Sequence, residues 1–372
     1  MPEAKSLVDC LLDCGAGLFT GVPDSLLSKF SACIMQQETV DHIIAANEGN
    51  AIGLAIGDYL ATTKPAVIYM QNSGLGNTVN PLTSLADPAV YGIPMMLIIG
   101  WRGEPGIHDE PQHVMQGAIT LGQLNVLNIP YLIVNADTDL QKVKSLWQIM
   151  EKRQGPVALV VRKGAISGDW KVPQKAMSST FMREEAIRTL VDHMPKDTFF
   201  VATTGKAGRE LYEIREAENG PHRDFLTVGG MGHASCIALS VARHQTNRWT
   251  VCLDGDGAAL MHLGAASTIC TNKASRFLHV LLNNSAHESV GGQPTVADKV
   301  DFLLFANSMG YDGYICVKDE TKLKEAIKEI CLNPGTWLLE IKLALGARSD
   351  LGRPKISPSQ NKFDVIEFLG AK

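Results

Sequence analysis

The 372-residue chain has little surplus of charge. Its 34 Lys and Arg stand against 39 Asp and Glu, a formal net charge of −5. That balance excludes a basic surface built to hold nucleic acid. No apolar run reaches the length of a membrane span, so no membrane partner is expected. The first fifteen residues carry two early acids and lack the apolar centre of a secretory signal, which predicts a cytoplasmic protein. The eight cysteines are scattered and none forms a C-x-x-C pair. This spacing argues against a zinc ribbon or a dithiol redox centre and for reduced, mostly buried thiols. Cys10 and Cys14 lie one helical turn apart without further ligands nearby, so a helix face explains them. No G-x-G-x-x-G follows the first predicted strand with an acid at the required distance, which counts against a nicotinamide dinucleotide site. There is no tandem repeat of short period.

What is present is alternation. Short β-rich apolar runs recur between stretches of helical periodicity, the pattern of open parallel α/β sheets. Residues 1–165 form one such run and 183–372 a second. Residues 166–182 lose periodicity and gain Pro, Ser and Lys, as a linker would. Within the first run, 48–62 reads as a helix, 72–77 as a polar turn and 101–116 as a long polar loop. Within the second, 258–271 and 298–309 read as helices.

The stretch Leu253-Asp254-Gly255-Asp256-Gly257-Ala258 is a buried strand running into a glycine turn and a helix start. Free N–H groups and the helix dipole make such a turn a site for phosphate. A second apolar strand, 277–282, ends in Asn283-Asn284. If the two strands are parallel neighbours, Asp256 and Asn284 meet at one carboxyl edge. They then offer two hard oxygens to one cation, and Mg2+ suits such a set.

Two further features stand out. Glu48 falls at a strand end, in the first turn of a helix, where the dipole favours a carboxylate. Along that helix Gly49, Gly53 and Gly57 recur every four residues. Each costs about 1 kcal/mol relative to alanine in a helix interior, which points to close approach by another backbone, as at a subunit contact. In Val228-Gly229-Gly230-Met231-Gly232 a large apolar side chain is set between glycines.

GDG followed by NN after about this interval resembles the motif of thiamin diphosphate enzymes. The resemblance extends over nearly the whole chain and is to the short decarboxylases that lack a middle domain. It implies a thiamin diphosphate-binding fold of two doubly wound parallel-sheet domains, one for the pyrimidine and one for the diphosphate. It implies Mg2+ held by Asp256, Asn284 and the Ala286 carbonyl. Glu48 is expected to bond the aminopyrimidine ring of the cofactor, and Met231 to support its bent shape. The remaining cofactor-binding candidates are Asn72, Gly76, Asn77, Thr204, Gly205, Gly230, Gly255, Gly257 and Ala258. The family's active site lies between subunits, so a homodimer or homotetramer is expected.

Among the short members, TGVPDSLL (20–27), RGEPGIHDEPQH (102–113), TTGKAGREL (203–211), NNSAHESVGGQPT (283–295) and GARSDLGRP (346–354) are similar to the phosphonopyruvate decarboxylases. That similarity implies loss of carbon dioxide from 3-phosphonopyruvate, a 2-oxo acid bearing a phosphonate, to give 2-phosphonoacetaldehyde in phosphonate biosynthesis. Asp24, His108, His113 and His287 are the candidate proton donors beside Glu48. Ser25, Lys206, Arg209 and His108 are candidates to hold the phosphonate, and Arg102 is an alternative that could instead brace its own loop. Pyruvate decarboxylase has a glutamate six residues beyond its metal-binding asparagine, where this chain has Val290. Sulfopyruvate decarboxylation and carboligation stay open as alternative reactions.

Overall fold

The computed structural model describes residues 1–172, 179–218 and 222–370. Part of the expected linker, 173–178, falls outside them. Two compact units divide the chain, one holding residues 1–174 and 289–293, the other 175–288 and 294–372.

In the first unit the elements run α1 (Ala4–Asp13), β1 (Phe19–Gly21), α2 (Ser28–Met35), β2 (His42–Ile44), α3 (Glu48–Thr62), β3 (Ala66–Gln71), α4 (Leu75–Pro81), β4 (Met95–Gly100), α5 (Pro111–Val126), β5 (Tyr131–Val134), α6 (Leu140–Arg153) and β6 (Val157–Val161). The strands form one parallel sheet in the order β2-β1-β3-β4-β6-β5. Every residue of β4 and β6 is buried. Helices cover both faces of a parallel sheet, so its central strands are apolar throughout rather than alternating.

The rest of the chain runs α7 (Arg183–His193), β7 (Phe199–Ala202), α8 (Lys206–Ala217), β8 (Phe225–Leu226), α9 (Ala234–His244), β9 (Thr250–Gly255), α10 (Asp256–Met261), α11 (Ala265–Thr271), β10 (Phe277–Asn283), the two-residue strands β11 (Ala286–His287) and β12 (Gln293–Pro294), α12 (Phe302–Met309), β13 (Gly313–Val317), α13 (Glu320–Leu332), β14 (Thr336–Lys342) and α14 (Pro358–Leu369), all in the second unit except Gln293 of β12. Its sheet is also parallel, in the order β13-β14-β10-β9-β7-β8. Among the described residues no helix is long and apolar enough to cross a membrane.

Four elements differ from the sequence expectation. The helix expected over 298–309 starts only at Phe302, after a separate 3-10 turn over Ala297–Lys299. Residues 72–77 are not an open turn: a 3-10 turn over Asn72–Gly74 leads straight into α4. The long loop ends at Glu110, because Pro111 opens α5, a position where a missing N–H costs nothing. The single helix expected over 258–271 is two, α10 and α11, broken at His262–Gly264, and α10 already begins at Asp256.

Candidate active site

In the second unit β9 and β10 are parallel neighbours, with Gly255 opposite Leu282. The chain therefore leaves both strands at the same edge, and Asp256 emerges beside Asn283-Asn284. Asp256 is only 2% exposed. It accepts a hydrogen bond from the Thr295 hydroxyl and faces the backbone amides of Gly257 and Asn284. All these donors are neutral. Burial pushes its carboxyl up to about 6, a penalty on the charged form of roughly 3 kcal/mol. A cation at this point would remove that penalty, so the residues fit a bound metal.

The loop after β10 is held from two sides. Asn283 accepts from Ser285 N–H (3.1 Å) and donates to buried Glu340 (2.6 Å), with Ser285 in the left-handed region at φ 54°. Asn284 Oδ1 accepts from Ala286 N–H (3.2 Å), and its Nδ2 donates to Glu288 (3.0 Å). His287 lies against the glycine turn: a methyl group at Gly257 would stand 2.9 Å from its ring. Burial lowers the His287 pKa to about 4.

The end of β7 supplies a second polar surface in this unit. Among the described residues the buried Thr203 hydroxyl has no hydrogen-bond partner, and Gly205 opens α8 at φ 104°. Gly230 and Gly232 both have left-handed φ, 66° and 85°. Only glycine adopts this freely, and between them Met231 is half-buried. An orphaned hydroxyl and a helix start at this strand end suit phosphate oxygens.

The first unit gathers its own polar groups at the carboxyl ends of β1 to β4. Glu48 is 5% exposed at the start of α3. Asn77 Nδ2 donates to its Oε2 at 2.7 Å. The carboxylate lies on Gly74, where a methyl group would sit 2.5–2.7 Å from its atoms.

The description "Thiamine pyrophosphate enzyme, N-terminal TPP binding domain" matches residues 1–124, and the corresponding "C-terminal TPP binding domain" matches 204–341. A phosphonopyruvate decarboxylase of Streptomyces viridochromogenes is 32% identical over 97% of this chain and 93% of its own length. One from Streptomyces hygroscopicus is 30% identical over 99% and 94%. A sulfopyruvate decarboxylase of Methanosarcina acetivorans is 26% identical over 88% and 87%. This chain belongs to the phosphonopyruvate decarboxylase family. It is a thiamine pyrophosphate-dependent carboxy-lyase, and its two sheets are the two cofactor-binding domains of that class without a middle domain.

In this family member Asp24 follows β1 and is fully buried. Its Oδ2 accepts from Leu26 N–H (2.9 Å) and rests on Gly100 at the end of β4, while Oδ1 has no partner among the described residues. Burial raises its pKa to about 6. Arg102 is held by Asp109 through two bonds, at 2.8 and 2.5 Å, and donates to Ser25 Oγ at 3.1 Å. The Arg102 guanidinium draws Asp109 down to about 2. Arg102 thus braces its own loop. His113 is 9% exposed in the first turn of α5, and burial, with Arg102 nearby, lowers its pKa.

Not every sequence candidate has a side chain free to act. Asn72 is fully buried and spends its amide on Arg102 O (2.8 Å), Thr120 Oγ1 (2.9 Å) and Arg102 N–H (3.2 Å). Lys206 is paired with Glu288 at 2.9 Å. His108 is exposed on the loop and Arg209 is half-buried. Among the described residues, a methyl group at Gly53 or Gly57 would meet nothing within 4 Å beyond the helix itself, whereas one at Gly49 would stand 3.0 Å from Asn77 O. Thr295, Glu340 and Gly74 were not singled out from sequence. Gly74 alone had a local signal, a glycine in a polar turn after a strand.

Proposed function

We propose that the chain decarboxylates 3-phosphonopyruvate to 2-phosphonoacetaldehyde in the cytoplasm, as a step of phosphonate biosynthesis. The observation that carries the metal-dependent reading is Asp256: a buried carboxylate with only neutral donors, set beside Asn284 at the edge of two parallel strands. On this reading Asp256, Asn284 and the Ala286 carbonyl hold Mg2+. Thr204, Gly205, Gly255, Gly257 and Ala258 surround the diphosphate, Gly230 and Met231 the thiazolium. When bound, thiamin diphosphate supplies the electron-accepting ring through which a 2-oxo acid loses carbon dioxide.

The chain's own residues supply geometry and protons. Glu48, fixed by Asn77 and Gly74, bonds a ring nitrogen of the aminopyrimidine and holds the proton there. Gly76 leaves the adjoining backbone open to the ring. Asp24 is the proton donor this reading favours, since a carboxyl near 6 remains partly protonated around neutrality. His113 and His287, whose pKa values are lowered, are neutral there and act as relays. Ser25, Arg209 and His108 are the groups assigned to the phosphonate, with Lys206 reaching it only by leaving Glu288.

The active enzyme is a homo-oligomer. A surface groove of about 750 Å³ runs beside α3, lined by Ile43, Asn50, Gly53, Leu54 and Gly57. Its glycines leave room for a second chain to approach closely.

The test is carbon dioxide release by protein stripped of metal and cofactor, offered phosphonopyruvate, sulfopyruvate and pyruvate, with and without thiamin diphosphate plus Mg2+. Cofactor-dependent release with preference for phosphonopyruvate is expected. Similarity to the Methanosarcina sulfopyruvate decarboxylase makes sulfopyruvate the second reading. Preference for it would keep the mechanism and overturn the substrate.

A further inference from the structure

Glu288 follows the metal loop and is the most heavily engaged carboxylate near it. Each of its oxygens takes two donors. Oε2 accepts from Arg183 Nη1 (2.5 Å) and Asn284 Nδ2 (3.0 Å), and Oε1 accepts from Lys206 Nζ and Gly346 N–H (both 2.9 Å). Arg183 directs its Nε and Nη2 to Glu210 (2.7 and 2.8 Å). Two cations and two carboxylates therefore balance in one cluster, with Arg183 and Glu210 buried and Lys206 and Glu288 partly exposed.

We infer that Glu288 is a positioning residue that fixes which end of the Asn284 amide faces the metal. The inference rests on the metal reading given above. An asparagine amide has two ends of nearly equal shape and opposite character. Turned over, it would aim an NH2 group at the cation instead of an oxygen. An ionised carboxylate accepts only, so Glu288 can meet the amide only through Nδ2, and Oδ1 is left on the opposite side. Glutamine at 288 could donate or accept, leaving only the 3.2 Å bond from Ala286 N–H to Oδ1 to select that end, so the selection would be weakened. Partners of metal ligands commonly change metal affinity by 10- to 100-fold when removed.

Mn2+ binding followed by electron paramagnetic resonance, in the presence of thiamin diphosphate and on the whole chain, reads this without turnover. Glu288→Gln should raise the Mn2+ dissociation constant roughly 10- to 100-fold. Glu288→Asp keeps the charge facing Arg183 and Lys206 but withdraws it from Asn284. It is the second variant, and it should show a loss of the same order. In Glu288→Gln with Asn284→Asp, donor and acceptor trade places, and most of the affinity should return. Native affinity in a folded Glu288→Gln or Glu288→Asp protein would overturn the inference, as would absence of rescue by the exchange. If the unaltered chain takes up no Mn2+ with thiamin diphosphate, the metal reading fails and the inference with it.

Discussion

The side-chain amide of Asn77 donates to the Glu48 carboxylate at 2.7 Å, and the other Glu48 oxygen lies over Gly74. Thus a helix start, a neighbouring helix and a glycine turn fix one carboxylate. Gly74 has φ −71° and ψ −16°, a backbone that alanine adopts without strain. Gly74→Ala therefore acts first on Glu48, whose atoms are the nearest to the added methyl group. Its methyl group would stand 2.5–2.7 Å from the Glu48 side chain and must displace it. We expect a folded protein with kcat reduced about 100-fold, as misplacement of a catalytic group by about an ångström can cost. Glu48→Gln should lose at least as much. Steady-state kinetics beside circular dichroism checks both, and near-native turnover in Glu48→Gln would remove Glu48 from its assigned role.

Asp256 should reveal its metal through stability. Asp256→Asn removes a buried charge whose ionisation is disfavoured by roughly 3 kcal/mol. The variant without cofactor should melt at or above the unaltered protein. The unaltered protein should gain several degrees in Tm when thiamin diphosphate and Mg2+ are added together, and chelation should erase the gain. Asp256→Asn should gain little. An equal gain in both would contradict the proposed clamp.

Asp24 gives a pH dependence of defined sign. Its folded pKa is about 6, above the roughly 3.9 of an unfolded aspartate. Between these values the folded chain binds more protons than the unfolded one, so its stability falls as pH rises through that window and levels off above it. Asp24→Asn lacks that loss. Its stability relative to the unaltered chain should grow from pH 4 to about 6.5 by roughly 1–3 kcal/mol, while decarboxylation falls. Denaturant melts across that range measure the first effect. A difference that does not change with pH would show that Asp24 does not titrate in this window.

Asn72 should matter for stability more than for cofactor affinity. Asn72→Ala leaves the Arg102 backbone and the Thr120 hydroxyl without their partner in a buried site. The cost should be about 2–3 kcal/mol. Thiamin diphosphate affinity, measured by calorimetry, should stay within about threefold. A tenfold loss of affinity with unchanged stability would return Asn72 to the cofactor.

By itself the sequence determined the two α/β units and the strand ends that carry Asp24, Glu48, Asp256 and Asn284. Apolar runs, glycine turns and helical periodicity are local signals, and parallel sheets put strand ends at one edge. It also marked Asp256 and Asn284 as a pair, because adjacent parallel strands joined by one crossover keep their spacing. Element limits were less legible. Pro111 cut short a loop that polar composition extended to 116, and 72–77 proved helical, with Asn72 buried and Asn77 bonded to Glu48. Only the tertiary structure decided the surroundings of each group. Thr295 reaches Asp256 from 39 residues away, and Glu340 reaches Asn283 from 57. Arg183 lies 105 residues from Glu288. No local pattern encodes such meetings, since they depend on which strands and helices become neighbours. Burial, which raises Asp24 and Asp256 and lowers His287, follows from the same packing.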